Sequence, residues 1–138
     1  MIRYKKLPPD IFQRIDSLTA LFSGESNIIF AYLFGGLLKR RTNPLSDIDI
    51  AVFVKDTRKS DYLELFNKVT GALGTDEVDL IILNASPISL TGRIMHERKV
   101  LADKEPFLRH KYESYVLRNF FDFKIKEKAI LERRYGIG

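Results

Sequence analysis

The sequence contains no cysteine and only two histidines among its 138 residues. Without cysteine, the chain can form no disulfide framework, thiolate nucleophile or zinc site with cysteine ligands. The two histidines, His96 and His110, have no neighbouring ligand at a zinc-binding spacing, so we do not expect zinc. The absence of cysteine is compatible with a reducing cytoplasm, which is the location we expect.

Long hydrophobic runs are also missing. No apolar run approaches the length of a membrane span, and no apolar segment of signal-peptide length follows the basic residues of positions 1–9. Apolar residues make up 45% and charged residues 30%, which is typical of a soluble globular protein. The length predicts a single domain over residues 1–138. A net charge of +5 suits anionic partners but is too small to predict direct nucleic-acid binding.

Hydrophobic periodicity divides the chain into alternating helices and strands. Helical spacing is found in four segments, 11–22, 62–73, 87–97 and 106–135, and a short helix is expected at 37–39. Strand-like apolar runs are found at 28–34, 48–54, 77–83 and 99–102. This alternation predicts a small domain of the α/β or α+β class, built around one sheet.

Two aspartates at alternate positions, Asp47 and Asp49, are the most informative feature. They stand between a Gly35-Gly36 turn and an apolar strand. Side chains at i and i+2 of a strand project to the same face, so the two carboxylates should lie side by side. Such a pair repels unless a cation lies between its members, and hard oxygen ligands of this kind suit Mg²⁺.

A third carboxylate, Asp79, occurs within the apolar run 77–83. That run reads as a buried strand, in which an unpaired charge is unfavourable and should be neutralised by a partner or a metal. Alternatively, Asp79 is a strand-edge charge in water, and Ser46 with Asp47 forms a turn or cap. The three aspartates together, behind two glycines, favour the metal site.

The pattern of these residues resembles that of the nucleotidyltransferase superfamily related to DNA polymerase beta. The superfamily pattern is a Gly-Ser turn, an Asp-x-Asp pair and a later third Asp. The segment 46–52 and the stretches 85–88 and 100–101 look like the minimal nucleotidyltransferases. These are the MntA-like antitoxins of HEPN–MNT toxin–antitoxin pairs. The resemblance implies a small mixed sheet with helices packed on one side, together with the long C-terminal helix.

The resemblance also implies an activity, the transfer of AMP from ATP to a protein hydroxyl. The acceptor would be a tyrosine of a cognate HEPN RNase toxin, which the chain would silence as its antitoxin. Asp47, Asp49 and Asp79 would be the catalytic residues and the ligands of two Mg²⁺ or Mn²⁺ ions. Asp79 would also receive the proton of the acceptor hydroxyl.

The nucleotide phosphates would be held by Gly35, Gly36, Ser46 and Lys39. Ser46 could equally cap the loop, and the basic segment 39–41 could simply be solvated. Two departures from the family pattern stand out: Gly36 replaces the usual Ser, and Arg40 stands where many relatives have a further glycine. A backbone N–H can still hold a phosphate without that hydroxyl.

Two alternatives remain open at this point. One is an antitoxin with weak or no catalysis that only occludes the toxin, and its support is the missing Ser at position 36. The other is a small-molecule nucleotidyltransferase of the aminoglycoside type, although such enzymes usually carry an extra helical domain. The oligomeric state, whether homo- or hetero-oligomer, is left open by the sequence.

Overall fold

The computed structural model describes residues 7–35 and 48–136. In chain order the elements are α1 (Ile11–Ser23), β1 (Ile28–Phe34), β2 (Ile48–Val54), α2 (Tyr62–Leu73), β3 (Val78–Ile82), α3 (Ile88–His96), β4 (Arg98–Asp103) and α4 (Pro106–Tyr135). The four long helical segments and four strands predicted from periodicity are therefore confirmed, with shifts of a few residues at their ends. The short helix predicted at 37–39 lies outside the described residues.

Local signals explain where the helices begin and end. The carboxylate of Asp61 caps α2 by accepting a hydrogen bond from the backbone N–H of Glu64 at 3.1 Å. Gly74 ends the same helix in the left-handed conformation, with φ +71°. Pro106 occupies the first turn of α4, where its missing N–H is not needed.

The four described strands form one mixed sheet in the order β3-β2-β1-β4. β1 pairs antiparallel with both β2 and β4, whereas β2 and β3 run parallel. β3 and β4 are therefore the edge strands. The predicted mixed sheet and long C-terminal helix are confirmed.

Helices cover both faces of this sheet, which corrects the expectation that they pack on one side. α1 and α2 pack on one face, and α3 and α4 pack on the other. The physical reason lies in the strands, because every residue from Ile28 to Leu33 is buried. A strand that is apolar on both sides needs cover on both sides. Within the part of the chain that the structure describes, no helix could span a lipid bilayer.

A buried ionic network attaches α4 to its face of the sheet. Glu113, only 8% exposed, accepts hydrogen bonds from the Tyr32 hydroxyl at 2.7 Å and from Arg98 Nε at 2.9 Å. Arg109 binds both Glu113 and Asp103, with Nε donating to Asp103 Oδ2 at 2.7 Å. Burial opposes ionisation of Glu113, but the hydrogen bonds from Arg98, Tyr32 and Arg109 outweigh it and lower its pKa.

Candidate active site

Asp49 and Asp79 lie directly opposite one another on neighbouring strands. The parallel register of β2 and β3 pairs these two residues. Residues that face each other across two strands project to the same side of the sheet. That side is the one covered by α3 and α4, because Ala51 and Ile81, two positions further along each strand, belong to its core. The structure thus places two of the three predicted carboxylates side by side.

Gly35 lies against the carboxylate of Asp49. β1 ends with Phe34 paired to Asp49, so the next residue passes over that side chain. Gly35 has φ +80°, a conformation that L side chains rarely adopt. A Cβ built at this position would overlap Asp49 Oδ2 and would lie 3.1 Å from Asp49 Cγ. Glycine is therefore required here for both conformation and space.

The two carboxylates differ in exposure. Asp49 is half-buried, whereas Asp79 is exposed to solvent. The prediction that Asp79 lies in a buried strand is thus wrong. β3 is an edge strand, and the exposed Asp79 lies between the buried residues Val78 and Leu80. Water can solvate this charge, so burial alone does not demand a counter-ion. The support for a cation comes instead from the close pairing of Asp79 with Asp49.

Tyr62 is a neighbour of Asp79 that the sequence did not reveal. Its hydroxyl donates a hydrogen bond to the carbonyl of Leu80 at 2.8 Å, which fixes the start of α2 beside β3. Partial burial and then the charge of Asp79 raise the pKa of Tyr62. In the sequence, Tyr62 only begins the apolar stripe of α2. The contact with β3 joins residues 18 positions apart and has no local signal.

The other predicted site residues, Gly36, Lys39, Ser46 and Asp47, lie in residues 36–47, outside the described part. Their roles stay predictions. Among the residues that the structure does describe, no group of three or more acidic, histidine or cysteine side chains could hold a metal ion. The site described here thus has three parts, Gly35, Asp49 and Asp79. We call the end of the sheet that carries them the carboxylate end.

The carboxylate end lies within the region matched by a known family. Residues 16–107, two-thirds of the chain, match the family described as Polymerase beta, Nucleotidyltransferase. The chain belongs to this nucleotidyltransferase family. The match includes Gly35, Asp49 and Asp79, so the paired carboxylates lie within the matched region. A comparison with curated proteins found no match.

Solved structures of low sequence identity share the fold. A chain from the complex of a tri-AMPylated Shewanella oneidensis HEPN toxin with MNT antitoxin matches with a TM-score of 0.68 and 23% identity, covering 88% of this chain and 96% of that one. A toxin–antitoxin structure with AMP-PNP gives a TM-score of 0.70 at 24% identity, with coverages of 87% and 96%. A structure of MntA–HepT gives 0.67 at 24%, with coverages of 88% and 97%. This nucleotidyltransferase therefore has the fold found in those complexes.

Proposed function

We propose that this nucleotidyltransferase transfers AMP from ATP to a tyrosine hydroxyl of a HEPN-type RNase toxin and acts in the cytoplasm as its antitoxin. The observation that carries the proposal is the in-register pair Asp49 and Asp79 beside Gly35, in a chain of this family. The choice of acceptor is supported by the structures of similar fold. They come from toxin–antitoxin complexes, one with an AMPylated HEPN toxin and one with AMP-PNP.

The nucleotide would lie at the carboxylate end. Gly35 brings its backbone close to the Asp49 side chain, and backbone N–H groups in such a turn can hold phosphate oxygens. Gly36, Ser46 and Lys39 would contribute further contacts to the triphosphate. The positive charge of Lys39 would bind the triphosphate of ATP more strongly than the AMP ester formed on the acceptor, because the ester carries less negative charge.

The donor set of this site fits a hard divalent cation. Carboxylate oxygens are the ligands that Mg²⁺ and Mn²⁺ prefer, and we propose that Asp47, Asp49 and Asp79 hold two such ions. When bound, the ions would neutralise charge on the triphosphate and activate the acceptor hydroxyl. The half-buried position of Asp49 keeps its carboxylate in place under Gly35, whereas the exposed Asp79 is open to solvent.

The reaction balances without any further reactant. The acceptor oxygen attacks the α-phosphorus, a new P–O bond forms, and the bond to the β-phosphate oxygen breaks so that pyrophosphate leaves. The carboxylate of Asp79 accepts the hydroxyl proton, directly or through a water molecule. Because Asp79 is exposed, a hydroxyl carried by a macromolecule can reach it without a deep cleft.

Intact-protein mass spectrometry of a co-expressed HEPN-type partner tests this proposal. The wild-type chain should add mass to the partner in units of about 329 daltons, the mass of one AMP adduct. Asp79→Asn should remove the added mass and leave the complex intact, because an exposed aspartate contributes little to folding. Asp16→Asn is the matched control. It changes an exposed carboxylate that lies on α1, which covers the other face of the sheet, and should keep full transfer.

Two results would contradict the proposal. A partner that remains unmodified by the wild-type chain but is fully inhibited would favour the occluding antitoxin. A partner that is still modified by the Asp79→Asn variant would show that Asp79 is not needed for catalysis.

The proposed metal ions are tested by calorimetry with ATP and Mg²⁺, comparing the wild type with the double variant Asp47→Asn and Asp49→Asn. Equal ATP affinity in both would contradict them.

A further inference from the structure

Exposed apolar side chains are concentrated on α4. Of the eleven large hydrophobic residues that are exposed among those described, eight belong to this helix. Leu117, Phe121 and Ile125 are 44%, 67% and 53% exposed. They are spaced four residues apart, so they form one stripe along the helix. Solvent-facing apolar stripes of this kind mark interaction surfaces.

The C-terminal part of α4, residues 124–135, is exposed along almost its whole length. We call this segment the arm. Glu127 is half-buried, and every other residue of the arm is exposed, including Ile130, Leu131 and Tyr135. Most helical stability in proteins comes from packing of an apolar face, and the apolar residues of the arm are exposed instead. The arm therefore gains from a partner that covers its apolar residues.

The direction of α4 places this arm at the carboxylate end. β4 begins at that end, where Arg98 pairs with Phe34, and it ends on the opposite side with Asp103. Arg109 binds Asp103, whereas Glu113, one turn later, binds Arg98. α4 thus runs toward the carboxylate end, and the arm begins about 16 Å beyond Glu113 at the usual helical rise. A protein held on the arm would lie beside the reaction site.

The charge of the arm indicates the chemistry of its partner. The arm carries five basic and two acidic residues. The acids are already used, since Glu127 pairs with Lys124 at 3.0 Å and Glu132 with Lys128 at 3.8 Å. The other three cations of the arm, at positions 126, 133 and 134, are exposed to solvent. Two such arms would repel each other, so an acidic partner fits this surface better than a second copy.

We infer that Leu117, Phe121, Ile125 and the basic arm form the docking surface for the acceptor protein, which presents an apolar face bordered by acidic residues. The inference rests on the proposed function, because it assumes that a HEPN-type protein is the acceptor. Docking on α4 anchors the acceptor, while Asp49 and Asp79 carry out the transfer. Affinity for the acceptor and the chemical step then depend on separate sets of residues.

The double variant Phe121→Ala and Ile125→Ala tests this docking surface. Calorimetry with the purified HEPN-type protein should show affinity about 30-fold weaker than wild type, as for the loss of an interface anchor. The KM for that protein should rise, with affinity for ATP unchanged. Phe107→Ala is the matched control and should leave the affinity and the KM for the HEPN-type protein unchanged. Phe107 is also on α4 and 85% exposed, but it lies at the end of the helix away from the arm.

The charge of the arm is tested separately. Arg133→Glu with Arg134→Glu should slow association about tenfold at low salt, and the difference should shrink as salt is added. Thermal unfolding of these variants should match the wild type, since all the altered side chains are exposed. An association rate equal to that of wild type would overturn the acidic character of the partner surface.

The outcomes separate this inference from the proposed function. If the wild type modifies the partner and the Phe121→Ala, Ile125→Ala variant binds and modifies it equally well, the docking surface is wrong and the function stands. If the wild type binds through these residues but leaves the partner unmodified, the function is wrong and the docking surface stands. Self-association of the wild type that the double variant loses would assign the stripe to a second copy and overturn the inference.

Discussion

Gly35 and Asp49 are packed so closely that the end of β1 determines where the carboxylate lies. The positive φ of Gly35 turns the chain across the Asp49 side chain, and a Cβ there would overlap Asp49 Oδ2. β1 and β2 are paired at Phe34 and Asp49, immediately before this contact. The turn and the carboxylate therefore form one unit, and a change in the turn should act on catalysis.

Gly35→Ala should strongly reduce AMP transfer and leave a folded protein. The new Cβ must push the Asp49 carboxylate away, and the left-handed conformation adds about 1–2 kcal/mol of strain. Misplacing a catalytic group by about 1 Å can lower the rate about 100-fold. Transfer is measured by intact mass of the partner and stability by urea unfolding.

Gly71→Ala is the control for this variant. A Cβ at Gly71 meets no atom within 4 Å, and the residue lies inside α2. The alanine should therefore stabilise the helix by about 0.5–1 kcal/mol and leave transfer unchanged. Full transfer by Gly35→Ala would show that Asp49 does not need this position.

Gly36→Ser should preserve or improve transfer, because it restores the hydroxyl that the family usually presents to the phosphates. A hydrogen bond to a charged group contributes about 1.5–3 kcal/mol, which corresponds to about one to two decades in affinity. Calorimetry with ATP in the presence of Mg²⁺ measures the change. Loss of activity would instead show that the turn needs glycine at position 36 as well as at Gly35.

Local patterns in the sequence predicted most of the fold. The bounds of α2 at 62–73 and of α4 at 106–135 follow from the local apolar spacing, and the structure confirms them. The fully apolar stretch 28–33 also contained the signal for helices on both faces. The expectation of cover on one side came from the family resemblance and overrode that signal.

Contacts between distant residues could not be predicted in this way. Asp79 was expected to be buried because its neighbours are aliphatic, but its exposure depends on the position of β3 at the sheet edge. The hydrogen bond between Tyr32 and Glu113 joins residues 81 positions apart, and nothing in the sequence around either residue predicts it. The sequence did favour a joint role for Asp49, Asp79 and the glycine turn, but the parallel register that places the two carboxylates opposite each other had no local signal.

Glu113→Gln should make the protein less stable at neutral pH and less sensitive to acid. The pKa of Glu113 lies below its ordinary value of 4.5, so ionised Glu113 stabilises the folded state above that value. This stability is lost as the pH falls through the lowered pKa of Glu113. Glutamine keeps one acceptor oxygen but leaves Arg98 and Arg109 without their shared carboxylate charge, which should cost about 2–3 kcal/mol at pH 7.

Urea unfolding of this variant and the wild type between pH 7 and pH 3 measures both effects. The difference between the two proteins should be greatest at pH 7 and should decrease below pH 4.5. Glu127→Gln is the matched control on the same helix, because Glu127 makes a surface pair with Lys124. Its effect should stay within about 0.5 kcal/mol at all pH values. A constant difference between Glu113→Gln and wild type would show that the charge of Glu113 does not contribute.

Gly92→Ala should destabilise the protein, although alanine is the better helix former. Gly92 faces the ring of Phe120 where α3 packs on α4, and a new Cβ would overlap that ring and lie 2.7 Å from Phe120 Cβ. Overpacking at such a contact typically costs about 1–3 kcal/mol, more than the approximately 1 kcal/mol that alanine gains in a helix. Urea unfolding should therefore show a net loss, opposite in sign to Gly71→Ala.

The contact with Phe120 is the stated cause, and a double-mutant cycle can isolate it. Phe120→Leu removes the ring that the new Cβ meets, so Gly92→Ala should be less damaging in that background, with a coupling of about 1 kcal/mol. Additive effects would mean that the loss arises elsewhere in α3. Because Phe120 lies one turn before the arm, Gly92→Ala should weaken binding of the HEPN-type partner more than it weakens binding of ATP. Equal losses in both would indicate general unfolding instead.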